Sequence, residues 1–152
     1  MKRMLWYMLI LAVALAFPQR RLDVAELLPV ELVSVRKEND ALFVETDTGD
    51  VGRGKNLKSA FQNLEETTAG VIYLDTADYL LVETETMAYL EELKGYLKPK
   101  TQVCVCDQKV DLEQVPEYLA VHKSRVNLKE SAGNREIPRL VEEKGKLMLE
   151  RA

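Results

Sequence analysis

The chain has few of the residues that metal centres and nucleophilic active sites require. Among its 152 residues it has a single histidine, His122, and two cysteines, Cys104 and Cys106. A structural zinc site needs four nitrogen or sulfur ligands, and the chain is too poor in both types to supply them. No serine lies in the glycine-flanked context of a hydrolase nucleophile. The sequence therefore predicts a protein that is not an enzyme and binds neither a metal nor a cofactor.

The two cysteines alternate in the segment TQVCVCD, residues 101–107. Side chains two positions apart lie on the same face of a strand, so both thiols are expected on one face. A disulfide between them would be strained, because parallel side chains do not converge. A free cysteine behaves as a small apolar residue, and the pattern therefore predicts two buried thiols.

An excess of positive charge is also lacking. The chain has 25 acidic residues against 21 lysines and arginines, with a formal net charge of −4. Nucleic-acid binding proteins usually carry a basic patch or stripe, and none is visible here. The sequence therefore predicts no nucleic-acid partner. Its length allows one domain with a real core after a leader of about 19 residues.

One long apolar run is present, and it lies at the start of the chain between Lys2-Arg3 and Pro18. It is shorter than the roughly 20 residues of a spanning helix, as a cleaved signal would be. Arg20 and Arg21 could instead snorkel and extend a short retained anchor. Both interpretations direct the chain to a membrane, and basic residues on both sides leave the orientation open. The run consists of Met4, Leu5, Trp6, Tyr7, Met8, Leu9, Ile10, Leu11, Ala12, Val13, Ala14, Leu15, Ala16 and Phe17.

The first part of the remaining chain predicts a hairpin followed by a helix. Residues 29–35 and 41–48 are strand-like runs joined by a short polar turn, and residues 49–54 are expected to form a glycine-spaced loop. Asn56 is a good N-cap residue. The apolar spacing after it predicts a helix that ends at Gly70, with one buried face. That face comprises Leu57, Ala60, Phe61 and Leu64.

The later segments alternate between strand and helix patterns. Strands are expected at residues 71–74, 79–82 and 101–107, and helices at 84–97 and 116–122. This order predicts a mixed α+β fold, in which a small mixed sheet of about four or five strands carries about three packed helices. The tail after the polar segment 129–135 can form either a strand pair or a helix, packed on the sheet or loosely attached.

In this order the elements resemble the N-terminal domain of the Ger(x)C-type spore germination proteins. These are the C subunits of nutrient germinant receptors in endospore-forming bacteria. The segment RRLDVAELLPV at 20–30 and the hairpin at 36–44 match the start of that domain, and GKNLKSAFQNL at 54–64 matches its helix. The segments 137–142 and 146–152 resemble the beginning of the family's second domain. The motif positions are Gly54, Leu57, Ala60, Asn63 and Leu64.

The resemblance implies a division into three parts. Residues 1–19 would be the signal or anchor, 20–128 the α+β domain, and 129–152 a linker and tail. Family members carry a lipidated cysteine at the end of the signal, whereas residues 16–19 contain none, so a retained apolar helix would have to replace the lipid.

The implied function is non-enzymatic. The protein would lie on the extracytoplasmic face of the spore inner membrane and contact integral-membrane receptor subunits through its hairpin and exposed helix faces. If the leader is cleaved, the protein is secreted. Two other hypotheses stay open at this point: an envelope-anchored structural or assembly module, and a small-molecule-binding domain with its site near residues 49–55.

Overall fold

The computed structural model describes residues 27–131 and 136–151. Within these residues the fold is mixed α+β, with one seven-stranded mixed sheet, one two-stranded parallel sheet and three α-helices. The predicted fold class is confirmed. The apolar run at 4–17 lies outside the described residues. Within the described part of the chain, no helix has the length and apolar character needed to cross a membrane.

The main sheet has a parallel centre and antiparallel ends. Its strands are β2 Leu32–Glu38, β3 Ala41–Thr46, β4 Val51–Gly54, β6 Tyr79–Val82, β7 Gln102–Val105, β8 Arg139–Glu143 and β9 Lys146–Glu150. They lie in the order β4-β3-β2-β6-β7-β8-β9. The contacts among β2, β6, β7 and β8 are parallel, and the β2–β3, β3–β4 and β8–β9 pairs are antiparallel. The small sheet joins β1 Leu27–Pro29 to β5 Val71–Tyr73.

Helices pack on both faces of the main sheet. Helix α1, Leu57–Thr67, and helix α2, Leu90–Leu93, cover one face, and helix α3, Val115–Val121, covers part of the other. The α1 face holds the larger core cluster, to which the four predicted apolar residues of α1 contribute. Each fully buried leucine there contributes roughly 1.5–3 kcal/mol of burial free energy.

Helix α1 begins as predicted and ends earlier. The Asn56 side chain accepts a hydrogen bond from the Ser59 amide, and the Ser59 hydroxyl accepts one from the Asn56 amide. This reciprocal capping box satisfies two amide groups at the helix start. The predicted stop at Gly70 is wrong. The helix ends at Thr67, because the amide and hydroxyl of Thr68 both donate to the Leu64 carbonyl.

The expected helix at 84–97 is divided. Thr84–Tyr89 forms a 3₁₀ helix, and only α2 is α-helical. Thr86 is fully buried, and its hydroxyl donates to the carbonyls of Val35 and Glu83. A side chain that bonds to the backbone in this way competes with regular helical hydrogen bonding, and here it fixes the first turn on β2.

The main sheet is larger than expected because two segments join it. Residues 49–54 were expected to be a loop, whereas Val51–Gly54 is strand β4. The tail forms the β8–β9 pair, which extends the sheet beside β7. The strand expected at 29–35 is interrupted: Val30 exchanges hydrogen bonds with the Thr76 hydroxyl, and the next two amides donate to Asp47. The backbone thus changes partners between β1 and β2.

Candidate functional site

The end of the sheet formed by β2, β3 and β4 has one face without a helix among the described residues. Strands β2, β3 and β4 direct alternate side chains to the α1 core and to the opposite face. Helix α3 and the loop 106–112 cover this opposite face as far as Leu32 and Ser34 of β2, and a narrow groove separates the loop from Arg36 and Glu45. We call the uncovered region the open face. It consists of Arg36, Phe43, Glu45, Val51 and Arg53, of which Val51 and Arg53 are exposed and the others half-buried.

A row of three side chains crosses the open face. Arg36, Phe43 and Arg53 lie directly opposite one another on β2, β3 and β4. The two guanidinium groups lie 5.7 and 5.5 Å from the centre of the Phe43 ring, within the range of cation–π attraction. These contacts place a half-buried aromatic ring between two cations, of which Arg53 is exposed and Arg36 is half-buried.

The charges of this row are only partly neutralised. Arg36 makes a two-point contact with Glu45, with Nε–Oε2 and Nη2–Oε1 distances of 3.1 and 2.5 Å, and this hydrogen bonding raises the pKa of Arg36. Arg53 forms no ion pair with any described residue, and Val51 beside it is 43% exposed. The open face therefore offers an apolar patch next to a cation that has no acidic partner among the described residues.

A second polar site lies at the carboxyl ends of β6 and β7, where ligands of parallel sheets often bind. The Thr84 amide and hydroxyl donate to the two Asp107 carboxylate oxygens at 2.7 and 2.8 Å. Arg139 of β8 donates to Asp107 at 2.6 Å. Partial desolvation, the largest single influence, opposes the ionisation of Asp107. The Thr84 hydrogen bonds and the Arg139 charge together outweigh it, so the pKa is lowered.

Two cavities flank the β8–β9 pair. The larger, about 250 Å³, lies beside the Asp107 cluster, and we call it the carboxyl-end cavity. Its apolar wall and rim of arginines could accommodate a small organic acid. The other, about 190 Å³, lies between β9 and the segment after α3. The carboxyl-end cavity is lined by Thr84, Met87, Val105, Ile137, Arg139, Glu150 and Arg151.

The resemblance motif converges on one contact, between α1 and β4. A Cβ atom at Gly54 would lie 2.3 Å from the Ala60 nitrogen, so only glycine allows this approach. Leu57, Ala60 and Leu64 are fully buried beneath the sheet. The Asn63 side chain accepts a hydrogen bond from the Arg53 amide at 2.9 Å. In this chain the motif therefore has a packing role.

The same contact accounts for the glycines at 52–54. They belong to a strand pressed against α1, and the helix start is occupied by its own capping box. The segment thus differs from a phosphate-binding loop, which presents free amides to its ligand.

The prediction of two buried thiols is confirmed. Cys104 is fully buried and Cys106 is 6% exposed, and both are free and belong to the core cluster under α3. Burial raises the pKa of Cys104 to about 12 and also raises that of Cys106. Thiols of this kind are poor nucleophiles, because the thiolate is the reactive form. Within the described residues, no group of three or more metal-ligating side chains is present.

Sequence reasoning did not single out the Arg36–Phe43–Arg53 row. The hairpin was expected to be a contact surface, but Arg53 was placed in a loop. The alternation in ALFVET and VGRG carried the signal, since residues that share a strand face are two positions apart. Comparison of the chain with protein-family models, curated proteins and solved structures finds no match in any of the three. The resemblance to Ger(x)C-type proteins stays a prediction, as does the membrane run.

Proposed function

We propose that this protein is a membrane-associated, extracytoplasmic and non-enzymatic component of a spore germination apparatus, similar to the C subunit of a nutrient germinant receptor. It acts by contacting integral-membrane receptor subunits. Two features of the sequence support the proposal: the apolar run at 4–17 and the order of elements shared with the Ger(x)C-type N-terminal domain. The described domain would then lie next to the membrane that holds its partners.

The observation that carries the contact hypothesis is the open face. Arginine and aromatic residues are enriched at protein interfaces and often dominate their energetics. Here Phe43 and Val51 supply apolar area, and Arg53 supplies a cation without a carboxylate partner among the described residues. A partner surface with an acidic group beside an apolar one would complement this arrangement. The carboxylate would approach Arg53 while the apolar group covers Phe43 and Val51.

The first experiment is fractionation of the native protein from sporulating cells, with the intact mass of the recovered chain. A full-length chain in the spore inner membrane, co-purifying with integral-membrane germination subunits, is the expected result. A chain that begins near Phe17 and is found in soluble extract would overturn the proposal. So would a membrane-bound chain that co-purifies with none of those subunits.

The contact surface is tested separately with the double variant Phe43→Ala/Arg53→Ala. Co-purification is expected to fall at least tenfold, because both the apolar area and the cation are removed. Lys100→Ala is the matched control, since Lys100 is an exposed cation in a turn away from the open face. Circular dichroism and thermal unfolding of both variants establish that they are folded. Equal retention of partners by the two variants would exclude the open face.

A second candidate function is supported by the carboxyl-end cavity, where Arg139 and Arg151 line a volume of about 250 Å³. Binding of a small acid there would raise the melting temperature, since a ligand at 100 times its Kd adds about 2.7 kcal/mol of stability. A thermal-shift screen of amino acids and other organic acids, with Arg151→Ala as the site variant, tests this. A flat response across the screen would exclude the function.

A further inference from the structure

The outer side of strand β9 is a free sheet edge within the described part of the chain. β9 is the last strand in the order and pairs only with β8. An edge of this kind exposes unpaired amide and carbonyl groups, which can pair with another strand. The opposite edge of the sheet, β4, is covered by α1. The β9 edge is therefore where an additional strand can join the sheet.

The geometry of the β8–β9 turn identifies the backbone groups at this edge. Lys144 and Gly145 form a two-residue turn with φ values of +52° and +74°, which closes on the pair Glu143–Lys146. In such a hairpin the closing pair is hydrogen-bonded, and bonded pairs alternate with non-bonded pairs along the strands. The amide and carbonyl groups of Leu147 and Leu149 consequently point away from β8.

The sequence of β9, KLMLE, is complementary to itself in the antiparallel direction. When two copies are paired about Met148, each Lys146 lies opposite the Glu150 of the other copy. Each Leu147 lies opposite a Leu149, and these are the residues whose backbone groups point outward. A single register thus satisfies the hydrogen bonding, joins like apolar residues and places opposite charges together at both ends.

The charges at the two ends of β9 are available for such a pairing. Neither Lys146 nor Glu150 forms an ion pair with a described residue. Arg139 lies opposite Glu150 in the hairpin, yet its guanidinium is bonded to Asp107 instead. Met148, at the centre of the strand, is 38% exposed. Glu150 therefore lacks the cation that its cross-strand position offers.

We propose that β9 is a homodimerisation strand, which pairs antiparallel with β9 of a second copy about a two-fold axis through Met148. The pairing joins the two seven-stranded sheets into one continuous sheet. Leu147 and Leu149, which border the core cluster under α3, would meet their counterparts on the same face. One five-residue edge is a small interface, so the dimer is expected to be weak and dependent on concentration. This inference does not depend on the germination proposal.

Disulfide trapping of the full-length chain in detergent tests the register. In a non-hydrogen-bonded pair the two Met148 Cα atoms would be about 4.5 Å apart, within disulfide range. The variant Met148→Cys is expected to give a covalent dimer on mild oxidation. Lys146→Cys is the matched control on the same strand, because its two introduced thiols would be separated by about 13 Å. Absence of a covalent dimer in the Met148→Cys variant, or equal trapping at both positions, would overturn the proposal.

Charge exchange tests the pairing independently of folding. Lys146→Glu or Glu150→Lys, each introduced beside Met148→Cys, places like charges opposite each other in a homodimer, and trapping is expected to fall about tenfold. Mixing the two variants restores opposite charges at both ends, so the mixed dimer is expected to form as readily as the parent. Any cost to the hairpin itself persists in the mixture. Failure of the mixture to recover would contradict the assignment.

Discussion

The two edges of the main sheet are stabilised in different ways. At β4 the helix that follows directly in sequence covers the edge: Asn63 accepts from the Arg53 amide at 2.9 Å, and the Thr67 hydroxyl lies 3.4 Å from the Val51 carbonyl. At β9, among the described residues, no comparable element covers the strand, and its burial alternates between exposed and half-buried positions. A sheet edge can thus be closed by local helix packing or left open for another chain.

We expect the greatest loss of stability from a substitution at Gly52, on the covered edge of the sheet. A Cβ atom there would lie 2.2 Å from the Ala60 carbonyl oxygen and 2.7 Å from the Leu64 amide nitrogen. Gly52→Ala is therefore expected to lower the free energy of unfolding by about 3 kcal/mol, as severe overpacking does. Gly95→Ala is the control, because its Cβ would meet only the Glu92 carbonyl, at 3.3 Å. Urea unfolding gives the free energy of unfolding of both variants. An equal loss in the two would contradict the close packing of α1 on β4.

A second comparison uses one leucine near each edge of the sheet. Leu64 of α1 is fully buried, and Leu147 of β9 is half-buried. Leu64→Ala is expected to cost about 3 kcal/mol and Leu147→Ala about 1 kcal/mol, because the loss scales with the buried volume removed. The measurement is urea unfolding at low protein concentration. A larger loss for Leu147 would indicate that β9 is covered in the monomer.

A smaller effect tests the hydrogen bonding of the covered edge. Asn63→Ala removes the acceptor of the Arg53 amide and is expected to cost about 1 kcal/mol, a typical hydrogen-bond contribution. Asn63→Asp retains an acceptor oxygen in the same place and should keep most of that stability. Unfolding free energies of the two variants separate the hydrogen bond from the side-chain packing. Identical losses would contradict the role assigned to this bond.

The smallest effect is a pH dependence near the uncovered edge. Asp107 ties β8 to the 3₁₀ helix through Arg139 and Thr84, and its pKa is lowered in the folded state. Its stabilisation is therefore present above the unfolded pKa of about 3.9 and is lost as the pH falls through the folded value. The pair is partly exposed, so the contribution is expected to be below about 1 kcal/mol.

Asp107→Asn should remove the part of the pH dependence of stability that comes from this carboxyl group. The measurement is the free energy of unfolding between pH 6 and the acid limit of the folded state, roughly pH 3. At the β4 edge, the side chains that bond to the strand are Asn63 and Thr67, which do not titrate. An unchanged acid profile in Asp107→Asn would show that the cluster is not linked to folding.

Elements built from local interactions could be predicted from the sequence. The start of α1 follows from Asn56 and the apolar spacing of the next eight residues, and the capping box completes it. The burial of Cys104 and Cys106 follows from alternation in a β-rich run. The fold class follows from the order of these patterns. The predictions for α1 and for the two cysteines each depend on residues within two turns of a helix or one strand.

Elements that need distant partners were predicted poorly. The VGRG segment has one β-branched residue, Val51, and is shorter than a typical strand. It becomes β4 because β3 and α1 lie on either side of it. The 84–97 segment loses its regular helix because the Thr86 hydroxyl finds the Val35 carbonyl, 51 positions away. The Arg36–Phe43–Arg53 row was missed for the same reason, since its three members come from three strands.

The apolar run at 4–17 is evident from the sequence alone, and the start of α1, the apolar stripe along it and the two buried thiols follow from local spacing and side-chain polarity. The folded arrangement was needed to show that residues 51–54 and the tail are strands. It also shows that, among the described residues, one sheet edge is covered and the other is not. This difference arises from the hydrogen bonding of a strand. Its backbone groups are satisfied by whichever segment the fold brings beside it, and that segment is often far away in sequence.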